Sequence, residues 1–141
     1  MKVRSARCHC GQLQLECDGE PIKISMCHCL DCQRRTGSAF SVAVFYDRGR
    51  VRVARGATMA FERPSASGFA VRFHFCPACG SNVYWEPARL PNAIGIALGA
   101  FADPTFPEPD QSVWTKDKHS WLSIPSGTTI YEENPRHGAS S

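Results

Sequence analysis

Three tight clusters of cysteine constrain this chain more than any other feature of its sequence. Seven of its eight cysteines fall within residues 8–10, 27–32 and 76–79. Sulfurs this close in sequence suit a shared metal ion, whereas a disulfide framework spreads single cysteines over distant loops. No apolar leader precedes the first cluster, so we expect a cytoplasmic protein whose thiols stay reduced. Metal binding is therefore the predicted use of the clusters.

The segment Cys76-Pro77-Ala78-Cys79-Gly80 has the form of a zinc knuckle. It places two thiolates on a tight turn in which proline fixes one dihedral and glycine tolerates the left-handed conformation that follows. A closed structural site needs four ligands, so folding must bring a second pair to this turn. Cys8 and Cys10 are the simplest donors, and the four cysteines together predict one structural zinc.

Cys27, Cys29 and Cys32 then remain, close enough in sequence to share a second zinc. Structural zinc usually has four protein ligands, whereas catalytic zinc commonly has three and keeps a position for water or substrate. Two zinc ions per chain are expected, and the second has an open position. A histidine could instead complete and close this site; the candidates are His28, His74 and His119.

An open zinc held by three thiolates is electron-rich and activates water poorly. It suits an incoming thiol, whose pKa the metal lowers and whose thiolate it holds as a soft nucleophile. Arg34 and Arg35 follow directly and could offset the negative charge or bind a carboxylate, or they could be ordinary solvated surface. Thr36 and Ser38 are expected to shape the adjoining turn and to contact the substrate with them.

The chain has the length of one domain, which we assign to residues 1–135, with 136–141 as a disordered tail. Eleven glycines and ten prolines, spread between short apolar runs, indicate many turns and an all-β fold. Residues 111–124 could hold a short helix or a strand, and the sheet is expected to end near Ala100. Apolar and polar residues alternate in eight predicted strands: 13–17, 22–26, 39–46, 51–53, 59–61, 69–75, 82–85 and 94–98.

Charge and hydropathy argue against two classes of partner. A net charge of +3 is too small for a dedicated nucleic-acid binder. The longest nearly apolar run, 94–102, is far shorter than the roughly 20 residues that span a bilayer. We therefore expect no membrane partner and no nucleic-acid partner. Arg48, Arg50 and Arg52 would line one strand face, which by default is solvated.

Several other residues have an ordinary structural interpretation. Cys17 occupies an apolar position on a strand, so we expect a buried thiol and no metal role. Because neighbouring side chains point in opposite directions, His28 and His9 are expected at the surface, and His74 is expected to be solvated beside Arg72. The tryptophans could stack on a ligand, but core anchoring is the expectation in a small domain; they are Trp85, Trp114 and Trp121.

The segment 27–40, which reads CHCLDCQRRTGSAF, closely resembles the glutathione-dependent formaldehyde-activating enzyme family, which includes centromere protein V. The resemblance implies a β-tent of packed antiparallel sheets, and it implies the same division of the seven cysteines between structural and catalytic zinc. It also implies a carbon-sulfur lyase that joins glutathione to formaldehyde. Many members carry a histidine where this chain has Ser112, which leaves the substrate open. Matching residues continue at 8–11, 75–81, 98–101, 121–124 and 132–135.

The leading hypothesis is a zinc-dependent carbon-sulfur lyase acting on a glutathione-like thiol and an aldehyde, or on their adduct. Its partners would be these small molecules. A competing hypothesis is a non-enzymatic zinc module that binds protein or nucleic acid. Thiol redox chemistry at Cys29 and Cys32 is a third, which leaves Cys27 unexplained and lacks the βαβ context of redox folds.

Overall fold

The computed structural model describes residues 1–65 and 67–135, and it contains two β-sheets. The predicted tail lies outside the described residues. Strands β1, β2 and β5 form a three-stranded sheet, and an eight-stranded sheet has the order β11-β10-β3-β4-β9-β8-β7-β6. The strands are β1 Val3–Arg7, β2 Gln14–Asp18, β3 Lys23–Cys27, β4 Ser41–Asp47, β5 Val51–Arg55, β6 Met59–Pro64, β7 Ala70–Phe75, β8 Asn82–Pro87, β9 Ala93–Ala97, β10 Gln111–Val113 and β11 Thr129–Ile130.

The helical segments in the described part of the chain are short. One α-helix, α1, spans Leu30–Thr36, and the 3-10 turns are Arg48–Arg50, Leu98–Phe101 and Thr115–Asp117. None of the described helices has the length and apolar character needed to cross a membrane. The all-β prediction is confirmed.

Alternation along β4 divides the large sheet into two faces. Val44 and Tyr46 are fully buried against the small sheet, where they meet Leu15 and other apolar residues of the main core. Ala43 and Phe45 point to the opposite face and pack in a second, smaller apolar cluster. Cys27 ends β3 and lines the same cavity as Ala43 and Phe45, so the three-cysteine segment lies beside this second face.

The structure differs from the predicted secondary structure in four places. α1 was not predicted, because seven residues are too few to show helical periodicity. The sheet does not end near Ala100, because β10 pairs in parallel with β3 and with β11. Residues 111–124 hold both a strand and a 3-10 turn. Arg48 and Arg50 lie in a 3-10 turn and so do not share a strand face with Arg52.

Burial confirms some predictions for single residues and overturns others. Cys17 and Trp85 are buried as expected. His28 is fully buried, not exposed, because β10 covers the side of the chain opposite the cysteines. His74 is only 11% exposed, since it stacks on Tyr84 and bonds to a carboxylate. Trp121 is 70% exposed and does not anchor the core.

Candidate metal centres and the adjoining cavity

Folding brings Cys8, Cys10, Cys76 and Cys79 into one group whose four sulfurs all lie within 4.8 Å of one another. The Sγ atom of Cys10 is 3.7 Å from the Sγ atoms of both Cys8 and Cys76. Sulfurs at the corners of a tetrahedron around zinc, with Zn–S bonds of about 2.3 Å, would be about 3.8 Å apart. The four sulfurs therefore have the spacing that a closed zinc site requires.

The turn after β7 is built to stabilise thiolates. Gly80 has φ +79°, and its amide donates to the Cys76 carbonyl oxygen at 2.8 Å, which closes the turn. The amides of Ala78 and Cys79 lie 3.3 and 3.4 Å from the Cys76 sulfur. A hydrogen bond with the Ser81 hydroxyl is the main cause that lowers the pKa of Cys79 to about 5. Thiolates are the form of cysteine that binds metal.

The second group, Cys27, Cys29 and Cys32, likewise has all its sulfurs within 4.8 Å of one another. Cys27 ends β3, Cys29 caps the amino end of α1, and Cys32 lies in the first turn of that helix. The Cys29 sulfur accepts from the amide of Cys32 at 3.3 Å, so the side chain acts both as a helix cap and as a possible metal ligand. Both cysteine groups could hold metal ions.

No fourth histidine, cysteine or carboxylate within residues 1–65 and 67–135 joins the three-cysteine group. The three histidines that could have closed it bond elsewhere. His28 Nε2 lies 2.8 Å from the Ser112 hydroxyl, His74 Nε2 lies 2.6 Å from a Glu86 oxygen, and His119 Nε2 lies 2.9 Å from the Gln33 amide oxygen.

The local electrostatics favour a thiolate at Cys32. Hydrogen bonds from Cys27 and Cys29 lower the pKa of Cys32 to about 2, and the positive charge of Arg35 adds to this effect. The Arg35 Nη2 atom is 3.9 Å from the Cys32 sulfur. Hydrogen bonds with Cys29 and Cys32 raise the pKa of Cys27 well above its usual value.

An inner cavity of about 120 Å³ opens beside the three cysteines, on the second face of the large sheet. Its walls are mainly apolar, with Phe45 from β4, Phe73 from β7 and Trp85 from β8. Arg35 lies against two of these rings, with its guanidinium carbon 4.7 Å from the centre of Phe73 and 4.5 Å from that of Trp85. Its Nη1 atom donates to the Asn82 amide oxygen at 2.5 Å.

The four residues predicted to contact substrate lie in different places. Arg35 lines the inner cavity, whereas Arg34 is exposed and lines a neighbouring groove. The Thr36 hydroxyl donates to the Cys32 carbonyl oxygen at 2.7 Å and accepts from the Ser38 amide at 3.1 Å. Thr36 and Ser38 thus close the carboxyl end of α1 outside the lining of the cavity, and a substrate contact by them stays a prediction.

Other residues that line the cavity were not predicted from the sequence. Arg63 reaches it from β6 and forms an ion pair with Asp31 at 3.2 Å. Phe69 and Phe73 were recognised as the apolar face of a strand, but alternation does not say whether such a face meets the core or a cavity. Trp114, which was weighed as a ligand-stacking residue, lines the cavity and donates from Nε1 to Asn134 at 3.1 Å.

The fold and the sites define a small all-β protein with two cysteine groups able to hold metal ions. Over residues 3–117 the sequence matches the family described as glutathione-dependent formaldehyde-activating enzyme, and the chain belongs to that family.

A solved structure and the curated proteins complete the comparison. A crystal structure of a Rhodobacter sphaeroides protein is 22% identical, with a TM-score of 0.55 over 68% of this chain and 85% of that one. At this identity the likeness shows a shared fold alone. No curated protein matches the chain significantly.

Proposed function

We propose that the protein is a zinc-dependent carbon-sulfur lyase that adds a glutathione-like thiol to an aldehyde and cleaves the adduct in reverse. One observation carries the proposal: three cysteine sulfurs line a cavity, and no fourth protein ligand among the described residues joins them. Membership of the family supports the same reaction class.

The two cysteine groups would have different roles. Cys8, Cys10, Cys76 and Cys79 fit a closed structural zinc, because four sulfurs complete a tetrahedron. Cys27, Cys29 and Cys32 fit a zinc with one free position. When bound there, zinc would lower the pKa of an incoming thiol and hold it as a thiolate next to the aldehyde.

The chain's own residues would bind and orient the reactants. Arg35 lies close enough to Cys32 to offset the excess negative charge of three thiolates. Contact with the Phe73 and Trp85 rings fixes the guanidinium at the cavity wall, where it would attract an anionic thiol. In the reaction a sulfur–carbon bond forms, the carbon–oxygen double bond becomes single, and the thiol proton ends on the oxygen.

Two measurements test the proposal. Addition of glutathione to cobalt-substituted protein should strengthen the sulfur-to-cobalt absorption bands, because the thiolate enters the open position. In exchange NMR with ¹³C-formaldehyde and glutathione, the protein should accelerate formation and breakdown of S-hydroxymethylglutathione.

The matched control is a pair of cysteine variants. Cys32→Ser should abolish both signals, whereas Cys17→Ala should retain them, since Cys17 lies in the main core outside both groups. An unchanged cobalt spectrum, together with no acceleration of exchange, would favour the non-enzymatic zinc module instead.

A further inference from the structure

Two compartments meet beside the three-cysteine site. The inner cavity described above is bordered by an outer groove of about 540 Å³, and the two share Asp31, Arg35, Arg63 and Phe73 as a common wall. Of the two, only the inner cavity is lined by Cys27, Cys29 and Cys32. The reacting sulfur and carbon must therefore meet in the inner cavity.

The inner cavity is shaped for a flat apolar group. Small residues such as Ala43 leave space on the sheet face, and the Phe45, Phe73 and Trp85 rings enclose it. Trp85 lies directly over Gly95, where a Cβ atom would come within 2.3 Å of the indole Nε1. The volume of about 120 Å³ approaches that of the apolar cavity of about 150 Å³ that holds benzene in another protein.

Formaldehyde would cover little of these apolar walls. It has one carbon and one oxygen, and it offers no hydrocarbon surface to the aromatic walls. Apolar walls that stay in contact with water forgo the free energy gained when an apolar group covers them. An aldehyde with a ring or a branched alkyl group would fill the cavity and bury that group against Phe45, Phe73 and Trp85.

The outer groove adds Arg34 to the arginines that it shares with the inner cavity. Arg34, Arg35 and Arg63 line it, against the single carboxylate of Asp31. Phe61 and Phe75 supply apolar surface between these charges. An excess of guanidinium groups favours an anionic ligand, since arginine binds carboxylates through paired donors. The carboxylates of a peptide-like thiol therefore suit the groove.

We propose that the aldehyde substrate carries an aryl or branched-alkyl group that occupies the inner cavity, while the anionic body of the thiol lies in the outer groove. This inference rests on the proposed function. The reaction is R–SH plus R′–CHO giving R–S–CH(OH)–R′: one S–C bond forms, the carbonyl π bond breaks, and the thiol proton moves to oxygen.

Binding and reaction can be tested separately with fluorinated probes. 4-Fluorobenzyl alcohol has no carbonyl group, so its ¹⁹F NMR signal reports occupation of the inner cavity without chemistry. Phe69→Ala removes a half-exposed ring (50%) that lines the inner cavity, and it should weaken binding of this probe by up to about tenfold.

Phe61→Ala is the matched control, because it removes a ring of similar exposure (59%) that lines only the outer groove. It should leave binding of the alcohol unchanged. Ala43→Leu, which narrows the inner cavity, should block the alcohol; if this variant does not fold, the Phe69→Ala comparison still decides the question.

Reaction is measured by exchange NMR with glutathione and either 4-fluorobenzaldehyde or formaldehyde. We expect a faster exchange rate with 4-fluorobenzaldehyde than with formaldehyde. The ratio of these two rates should fall in Phe69→Ala. If formaldehyde exchange is accelerated but neither fluorinated compound binds or reacts, the aryl-aldehyde assignment is wrong and the proposed function stands. If the alcohol binds but no aldehyde reacts faster, the proposed function fails and this substrate assignment fails with it.

Discussion

Removing the two hairpin cysteines, Cys76 and Cys79, should destabilise the fold more than removing Cys29 and Cys32. A metal that joins Cys10 to Cys76 links positions 66 residues apart, and the loop-entropy relation for cross-links gives about 4 kcal/mol for such a loop. A link within residues 27–32 closes a loop of only about six residues, for which the same relation gives about 2 kcal/mol. Typical domains have total stabilities of about 5–15 kcal/mol, so the difference is measurable.

The assay is urea unfolding of two double variants, Cys76→Ser/Cys79→Ser and Cys29→Ser/Cys32→Ser, in excess zinc. Each variant should retain one zinc ion by mass spectrometry of the native protein. The free energy of unfolding should be about 2 kcal/mol lower for the 76/79 pair than for the 29/32 pair. Equal destabilisation, or a larger loss for the 29/32 pair, would refute the assignment of the four-cysteine group as the main structural tether.

Three further predictions concern single residues. Arg35→Met should raise the glutathione concentration needed for half-maximal exchange rate by about tenfold, because a charged donor is lost; an unchanged value would remove Arg35 from thiol binding. Gly95→Ala should destabilise the protein by about 1–3 kcal/mol in thermal unfolding, since the added Cβ meets the Trp85 ring. The control Gly99→Ala, which has open space at its Cβ, should change the free energy of unfolding by less than about 0.5 kcal/mol. Similar losses in the two variants would contradict the close packing at Gly95. Burial raises the pKa of Cys17 to about 12, so it should resist iodoacetamide at pH 8 in the native protein and react in urea, as read by mass spectrometry; rapid native alkylation would show that the thiol is not buried.

The division of the seven clustered cysteines was predictable because it depends on short spacings and on the number of ligands that zinc takes. The strands before the second and third clusters, β3 and β7, also followed from local alternation, whereas β1 before the first cluster was not predicted. Local alternation could not predict which parts of the chain surround the histidines. His28 alternates away from its neighbouring cysteines as expected, but the parallel strand β10, distant in sequence, covers it and supplies Ser112 as its partner.

The cavity was beyond sequence reasoning for a related reason. Apolar alternation in β7 predicted a buried face, but the same pattern serves a packed core and the wall of a cavity. The pairing of strands distant in sequence places the small residue Ala43 on the wall of the cavity. Helix α1 was missed because it is short and its amino end is capped by the Cys29 sulfur, whereas the usual capping side chains carry oxygen.

Anomalous diffraction at the zinc absorption edge from crystals of the zinc-loaded protein tests the central claim most directly. The account predicts two zinc ions. One should be bound by the sulfurs of Cys8, Cys10, Cys76 and Cys79, and the other by those of Cys27, Cys29 and Cys32 with a water or thiol in the fourth position. A disulfide among these cysteines, or a protein side chain in that fourth position, would contradict it.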